Sequence, residues 1–165
     1  MKNVAGIFDN KIMVDRSVAE LLDADFTKDD LSLIMSEQTR NKLFSSTDDE
    51  VNRVAKGAAS GAVLGTALGA LIAGLTAAGT LVTSGGALLV SGPIVAVLSG
   101  AGVGAVSGGI AGALIREGFA ATEAKRYEEE INRGKAIVIV HASDDNKAFT
   151  ARNTLQNAGA TTKAA

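Results

Sequence analysis

After Lys56 the chain carries no charged residue until Arg116, a stretch of about 59 positions, and two glycine ladders run through it. Gly57, Gly61, Gly65 and Gly69 stand four apart, and so do Gly100, Gly104, Gly108 and Gly112. On a helix, residues four apart lie on nearly one face, so each ladder strips side chains from a stripe and lets another backbone approach closely. Leu64, Leu68, Leu71, Ile72, Val95, Val97, Leu98, Ile110 and Leu114 supply apolar bulk on the remaining faces. A helix that is apolar all round belongs in lipid or in a protein core rather than at a water surface.

The ladders are related to each other. Pairing Gly57 with Gly112, Gly61 with Gly108, Gly65 with Gly104 and Gly69 with Gly100 gives a constant index sum of 169, which is the signature of antiparallel elements. The centre falls between Ser84 and Gly85, inside the turn-like run Thr83-Ser84-Gly85-Gly86, with Ser91-Gly92-Pro93 beyond it. The spacing therefore predicts an antiparallel helical hairpin, with room for two spans of roughly 20 residues and a turn. Glycine inside a water-exposed helix costs about 1 kcal/mol relative to alanine, so these eight residues require close packing or a dry environment. The flanking segments are too small to cover two long apolar helices. A lone copy would expose more apolar surface than the roughly few hundred Å² usual for a soluble monomer. Membrane lipid and further copies of the same chain are the two coverings expected. Arg53 and Lys56 before the stretch, and Arg116, Lys125 and Arg126 after it, would place both ends on the cytoplasmic side of a membrane. The stretch has no Trp, Tyr or Phe to form an aromatic belt, which weakens the case for a simple bilayer span and strengthens that for self-assembly.

The outer segments share a grammar. Val4, Ile7 and Phe8 read as a strand that stops at the Asp9-Asn10 cap, and Met13, Val14, Val18, Leu21 and Leu22 recur at helical spacing to about Ala24. A Thr27–Asp30 turn, the strand Leu31–Met35 and a polar stretch from Ser36 to Thr47 come next. Near the other end, Ala136–Val140 reads as a strand, and Asp144-Asp145-Asn146 caps a helix that carries Phe149 and Leu155 and ends at Gly159. A short last strand would occupy Thr161–Ala165. Ala24-Asp25-Phe26 and Ala158-Gly159-Ala160 close the two helices in parallel ways. The fold class expected is α+β, a ferredoxin-like βαβ/βαβ sandwich interrupted by the long glycine-zipper hairpin. Residues 1–46 form its first half, 47–120 the hairpin, and 121–165 a short helix and the second half.

Sixteen basic against eighteen acidic residues give no basic stripe for nucleic acid, and the lack of cysteine removes disulfides and thiolate chemistry. No phosphate-binding glycine motif occurs, so no nucleotide or other small-molecule substrate, cofactor or metal is expected. His141, the single histidine, ends a strand beside Ser143, Asp144 and Asp145. A lone histidine next to helix-capping aspartates is more often structural than catalytic. Asp29-Asp30, Asp48-Asp49 and Asp144-Asp145 read as caps and turns, and Glu128-Glu129-Glu130 as the solvated face of a short amphipathic helix. No enzyme is expected. The opening residues, with acids in the first fifteen positions, do not read as a secretory signal.

The order of parts resembles the general stress protein 17M-like domain family of bacteria over nearly the whole chain. The residues that carry the resemblance are the opening strand with Phe8-Asp9, the block AELLDADFTKDDLSLI, and Glu123, Ala124, Tyr127, Glu128 and Gly134 leading into Val138-Ile139-Val140. Where such relatives often have Gly-Ile-Pro, this chain has Gly118-Phe119-Ala120. The resemblance implies a stress-associated, membrane-linked protein without catalytic residues. Together these readings predict a non-enzymatic homo-oligomer at the cytoplasmic membrane. The alternative is a soluble cytoplasmic particle, shell or filament in which hairpins bury one another.

Overall fold

The apolar run Ala136–Ala142 is buried at all seven positions, which requires cover on both faces and strand neighbours on both sides. The computed structural model, which describes residues 2–44, 80–83, 86–91 and 109–161, supplies all four. Along the chain the strands are β1 (Lys2–Phe8), β2 (Leu31–Ser36), β3 (Thr80–Thr83), β4 (Gly86–Ser91) and β5 (Ala136–Ala142). They form one sheet in the order β1-β5-β2-β4-β3, with every pairing antiparallel. The protein is thus a mixed α/β structure around an antiparallel centre, β1-β5-β2. β1 and β2 run the same way with β5 between them. After β5 the chain returns to the far side of β1, where the Thr161 amide donates to the Ile7 carbonyl at 3.0 Å. The first part of the chain, β1-α1-β2, is therefore a split β-α-β unit with β5 between its two strands.

Strand parity sorts the core into two layers. On one face Val4, Phe8, Leu31, Leu33, Val138 and Val140 pack with Val14, Val18 and Leu21 of α1 (Lys11–Asp23) and Ala148, Ala151 and Leu155 of α5 (Asp145–Asn157). On the other, Ala5, Ile7, Ile34, Ile137 and Ile139 meet Ile110, Ala111 and Leu114 of α3 (Gly109–Arg116) and Ala124, Tyr127 and Ile131 of α4 (Ala121–Asn132). Phe119, between those helices, meets Tyr127 edge to face with ring centroids 5.6 Å apart.

The parallel helix closings expected from the sequence are present. Asn10 and Asp144 accept from the Met13 and Lys147 amides at 2.9 and 2.8 Å, each satisfying an orphan donor of the first turn. At the far ends, Phe26 N bonds Leu21 O and Ala160 N bonds Leu155 O at 3.1 and 2.9 Å. The pivots between are Asp25 at φ 62° and Gly159 at φ 93°. This is the left-handed C-terminal closure that glycine normally serves and aspartate tolerates.

Four regions differ from the sequence reading. The polar stretch after β2 contains a helix, α2 (Glu37–Phe44), started by the Ser36 hydroxyl, which accepts from the Thr39 amide at 3.1 Å. Where a turn between two helices is expected, β3 and β4 pair as antiparallel strands on either side of the expected centre. Thr80↔Leu89 and Thr83↔Gly86 keep the index sum of 169, and β4 continues the sheet by pairing Leu33 with Ser91 and Ser36 with Leu88. Short runs of β-branched and apolar residues there satisfy strand chemistry as well as helical periodicity. Residues 109–119, expected from sequence to belong to the hairpin, contribute Ile110, Ala111, Leu114 and Phe119 to the second apolar layer. Phe149 projects into solvent at 65% exposure, leaving alanines and Leu155 as the inward face of α5. The expected last strand is described only at Thr161; its remainder, like both glycine ladders except Gly112, lies outside the described residues. Among those residues, no helix is long and apolar enough to cross a membrane.

Substitutions at two of the positive-φ positions, Asp25 and Gly109, are tested by thermal or urea denaturation. Asp25→Val should cost about 1–2 kcal/mol because a branched side chain is strained in the left-handed region, whereas Asp25→Gly should be neutral or slightly stabilising. Gly109→Ala should also destabilise. Gly109 sits at φ +58°, and an added Cβ would overlap the Glu128 carboxylate that accepts from the Ile110 amide at 3.0 Å.

Candidate functional site: a buried histidine cluster at the end of the insertion

Polar side chains gather at one end of the α3–α4 face of the sheet. Asn3 of β1 stands directly across from His141 of β5, and Ser32 of β2 opposes the adjacent Ile139. By parity all three side chains emerge on the same face as Ala5, Ile34 and Ile139. The turn after α3 brings Glu117 over them. Asn3 Nδ2 donates to the Glu117 carbonyl at 2.6 Å and to its Oε2 at 3.1 Å. That orientation leaves Asn3 Oδ1 as the acceptor 2.9 Å from His141 Nδ1. Nδ1 must then carry the hydrogen, and Nε2 accepts from the Ser32 hydroxyl at 2.8 Å.

Ser32 is fully buried and His141 is 7% exposed. Burial pushes the imidazole below its ordinary pKa, while the Glu117 and Asp30 carboxylates pull the other way. The Glu117 Oε2 lies 3.8 Å from Nδ1, close enough to stabilise a protonated ring. Asp30 itself is held below the usual carboxylate range by the Thr27 amide it accepts from at 2.8 Å.

The order hydroxyl, imidazole, amide oxygen is also that of an acyl-transfer relay. Such a relay needs space for a reacting carbonyl about 3 Å from the nucleophile and from oxyanion donors. Ser32 has none of its surface in contact with solvent and lies between the buried Leu31 and Leu33. The arrangement therefore ties β1, β2, β5 and the turn after α3 together, and the hydroxyl is not presented to a substrate. Among the described residues, no group of three His, Cys, Asp or Glu side chains is placed to hold a metal ion.

The residues singled out from sequence are distributed differently from the cluster. Gly57, Gly61, Gly65, Gly69, Gly100, Gly104 and Gly108 lie outside the described residues. Gly112 is half-buried on α3, and no described atom lies within 4 Å of where its Cβ would be. The sequence neighbours of His141 do not serve it: Asp144 caps α5, Ser143 donates to Asp144 at 2.9 Å, and Asp145 pairs with Lys2. Glu128 and Glu130 are not a solvated face. Glu128 caps α3, and Glu130, 8% exposed, takes Arg133 and Lys135 at 2.7 and 2.8 Å. Lys135 first, and Arg133 with it, hold the Glu130 carboxyl below its ordinary range. Sequence reasoning missed Asn3, Ser32 and Glu117. The available signal was a hydroxyl standing alone between Leu31 and Leu33 in an otherwise apolar strand.

No family model matches the chain, and no curated protein or solved structure is significantly similar to it.

Asn3→Ala removes the acceptor of the Nδ1 hydrogen and both donations to Glu117. A buried group orphaned in this way costs about 1–3 kcal/mol, measurable by urea denaturation at neutral pH. Asn3→Asp restores the acceptor but sets a carboxylate oxygen against the Glu117 carbonyl and carboxylate that Asn3 now donates to, so it should not recover that loss at neutral pH.

Proposed function

We propose that this chain is a non-enzymatic, self-associating protein of the bacterial stress-protein type. A ferredoxin-like α/β domain serves as a cytoplasmic scaffold for a glycine-rich insertion that packs against the insertions of other copies. The observation that carries the reading is a shared register. The β3–β4 pairs have index sums of 169, the same dyad that relates the two glycine ladders, so the insertion turns back at the point that would bring ladder to ladder. The split β1-α1-β2 unit around β5 and the return of the chain to β1 at Thr161 support the ferredoxin-like assignment, and the family resemblance of the sequence supports the stress association.

The anchor points favour assembly over a membrane-spanning hairpin. Ser91 is paired with Leu33 on the sheet, and Gly109 begins α3, which packs on the same sheet. Residues 92–108 provide 17 positions between them, at most about 25 Å of helix. One bilayer crossing takes about 20 residues, and a return takes as many again. That spacing favours close packing of glycine faces against other copies of the chain over a second ladder that spans a bilayer.

Purified without detergent, the protein should sediment as a multi-copy particle. Replacing Gly61, Gly65, Gly104 and Gly108 together with leucine should shift it to smaller species. An unchanged sedimentation profile would sink the glycine-packing idea, and retention in a carbonate-washed membrane pellet would replace assembly with lipid insertion.

A further inference from the structure

The Ser32–His141–Asn3–Glu117 cluster joins three strands to the turn at which the charge-free stretch ends. We propose that it is a pH-sensitive clasp, which holds the turn after α3 against the sheet while His141 is neutral and opens on acidification.

The neutral ring is fully used in one tautomer, with Nδ1 donating to Asn3 and Nε2 accepting from Ser32. A further proton can enter only at Nε2, where the Ser32 hydroxyl now points its hydrogen. The hydroxyl must reverse and the cation must sit where Ser32 is 0% and His141 7% exposed. The charged groups that face the ring are Glu117 from the turn, 3.8 Å away, and Asp30 from the segment before β2. Lys2 of β1 is engaged by Asp145, and Asp144 is turned to the Lys147 amide. Both facing carboxylates favour the cation, yet burial outweighs them and the ring's pKa is lowered.

Linkage gives the sign. An opened, hydrated ring has the ordinary pKa of about 6.5 and the closed one a lower value, so the open state binds more protons between them. The clasp is intact above the open value and weakens as pH falls from there through the closed value. Glu117, held through its carbonyl and carboxylate by Asn3, is the partner on a turn rather than on a strand, so the turn is what gives way. The clasp belongs to the α/β domain of a single copy and does not depend on self-association.

The test combines a side-chain NMR titration of His141 with hydrogen exchange of residues 109–120, each in the full chain. His141 should titrate below 6.5, and Glu117→Gln should lower the midpoint further. Protection of 109–120, taken relative to His141→Gln at each pH, should fall several-fold between pH 7.5 and 5. A His141 midpoint at or above 6.5, a midpoint indifferent to Glu117→Gln, or an equal loss of protection in His141→Gln would overturn the clasp. If His141→Gln does not fold, the midpoints of the wild type and Glu117→Gln decide.

Discussion

Burial of β5 on both faces and both edges sets the terms for the rest of the molecule. Its seven buried residues lie between β1 and β2, which come from the first 36 residues, so the sheet cannot close until the chain has returned from the whole insertion. Loop-closure entropy rises only slowly with length, which makes such an interruption tolerable. Two apolar layers on the strand hold the return in place. The cost is that every apolar face of β5 needs a helix, and one pair of those helices, α3 and α4, is built from the end of the insertion and the segment that links it to β5.

This dependence explains which parts of the fold were legible. Caps and closures are local: Asn10 and Asp144 announce helix starts, and Asp25 and Gly159 the ends, because the hydrogen bonds that define them reach no more than five residues. The strands β1, β2 and β5 are legible because runs such as Ile137-Val138-Ile139-Val140 suit only a doubly covered position. The second layer was not. Ile110, Ala111 and Leu114 continue the apolar and glycine pattern of the ladder, and periodicity cannot distinguish a helix that packs on its own sheet from one that packs on another copy. The same ambiguity hid β3 and β4, whose residues satisfy both patterns.

The histidine cluster was illegible for a different reason. His141 is bonded to partners 109 and 138 positions away, and their meeting depends on the β1-β5-β2 order and register. A one-residue slip of β1 or β2 would turn Asn3 or Ser32 to the opposite face. The charged triplet Glu128–Glu130 shows the converse. Its helix was legible, but the roles of Glu128 and Glu130 depend on where α3 starts and on the cations at Arg133 and Lys135.

Charge also defines where the insertion stops. Arg116 and Glu117 are the first charged residues after Lys56, and they fall where α3 leaves the apolar layer and turns toward α4. Glu117 is held there by two donations from Asn3. To slide the insertion one turn further into the domain would carry its carboxylate toward Ile110, Leu114 and Phe119, where an unpaired charge is too costly to persist. To slide it outward would withdraw Leu114, fully buried, and open a cavity costing about 2–5 kcal/mol for a side chain of that size. The position of the last ladder residue, Gly112, is thereby fixed relative to the sheet by forces that act from within the domain. A glycine face that serves as a contact between copies requires such a fixed register, since helices free to slide by a residue would replace glycine with leucine at the crossing.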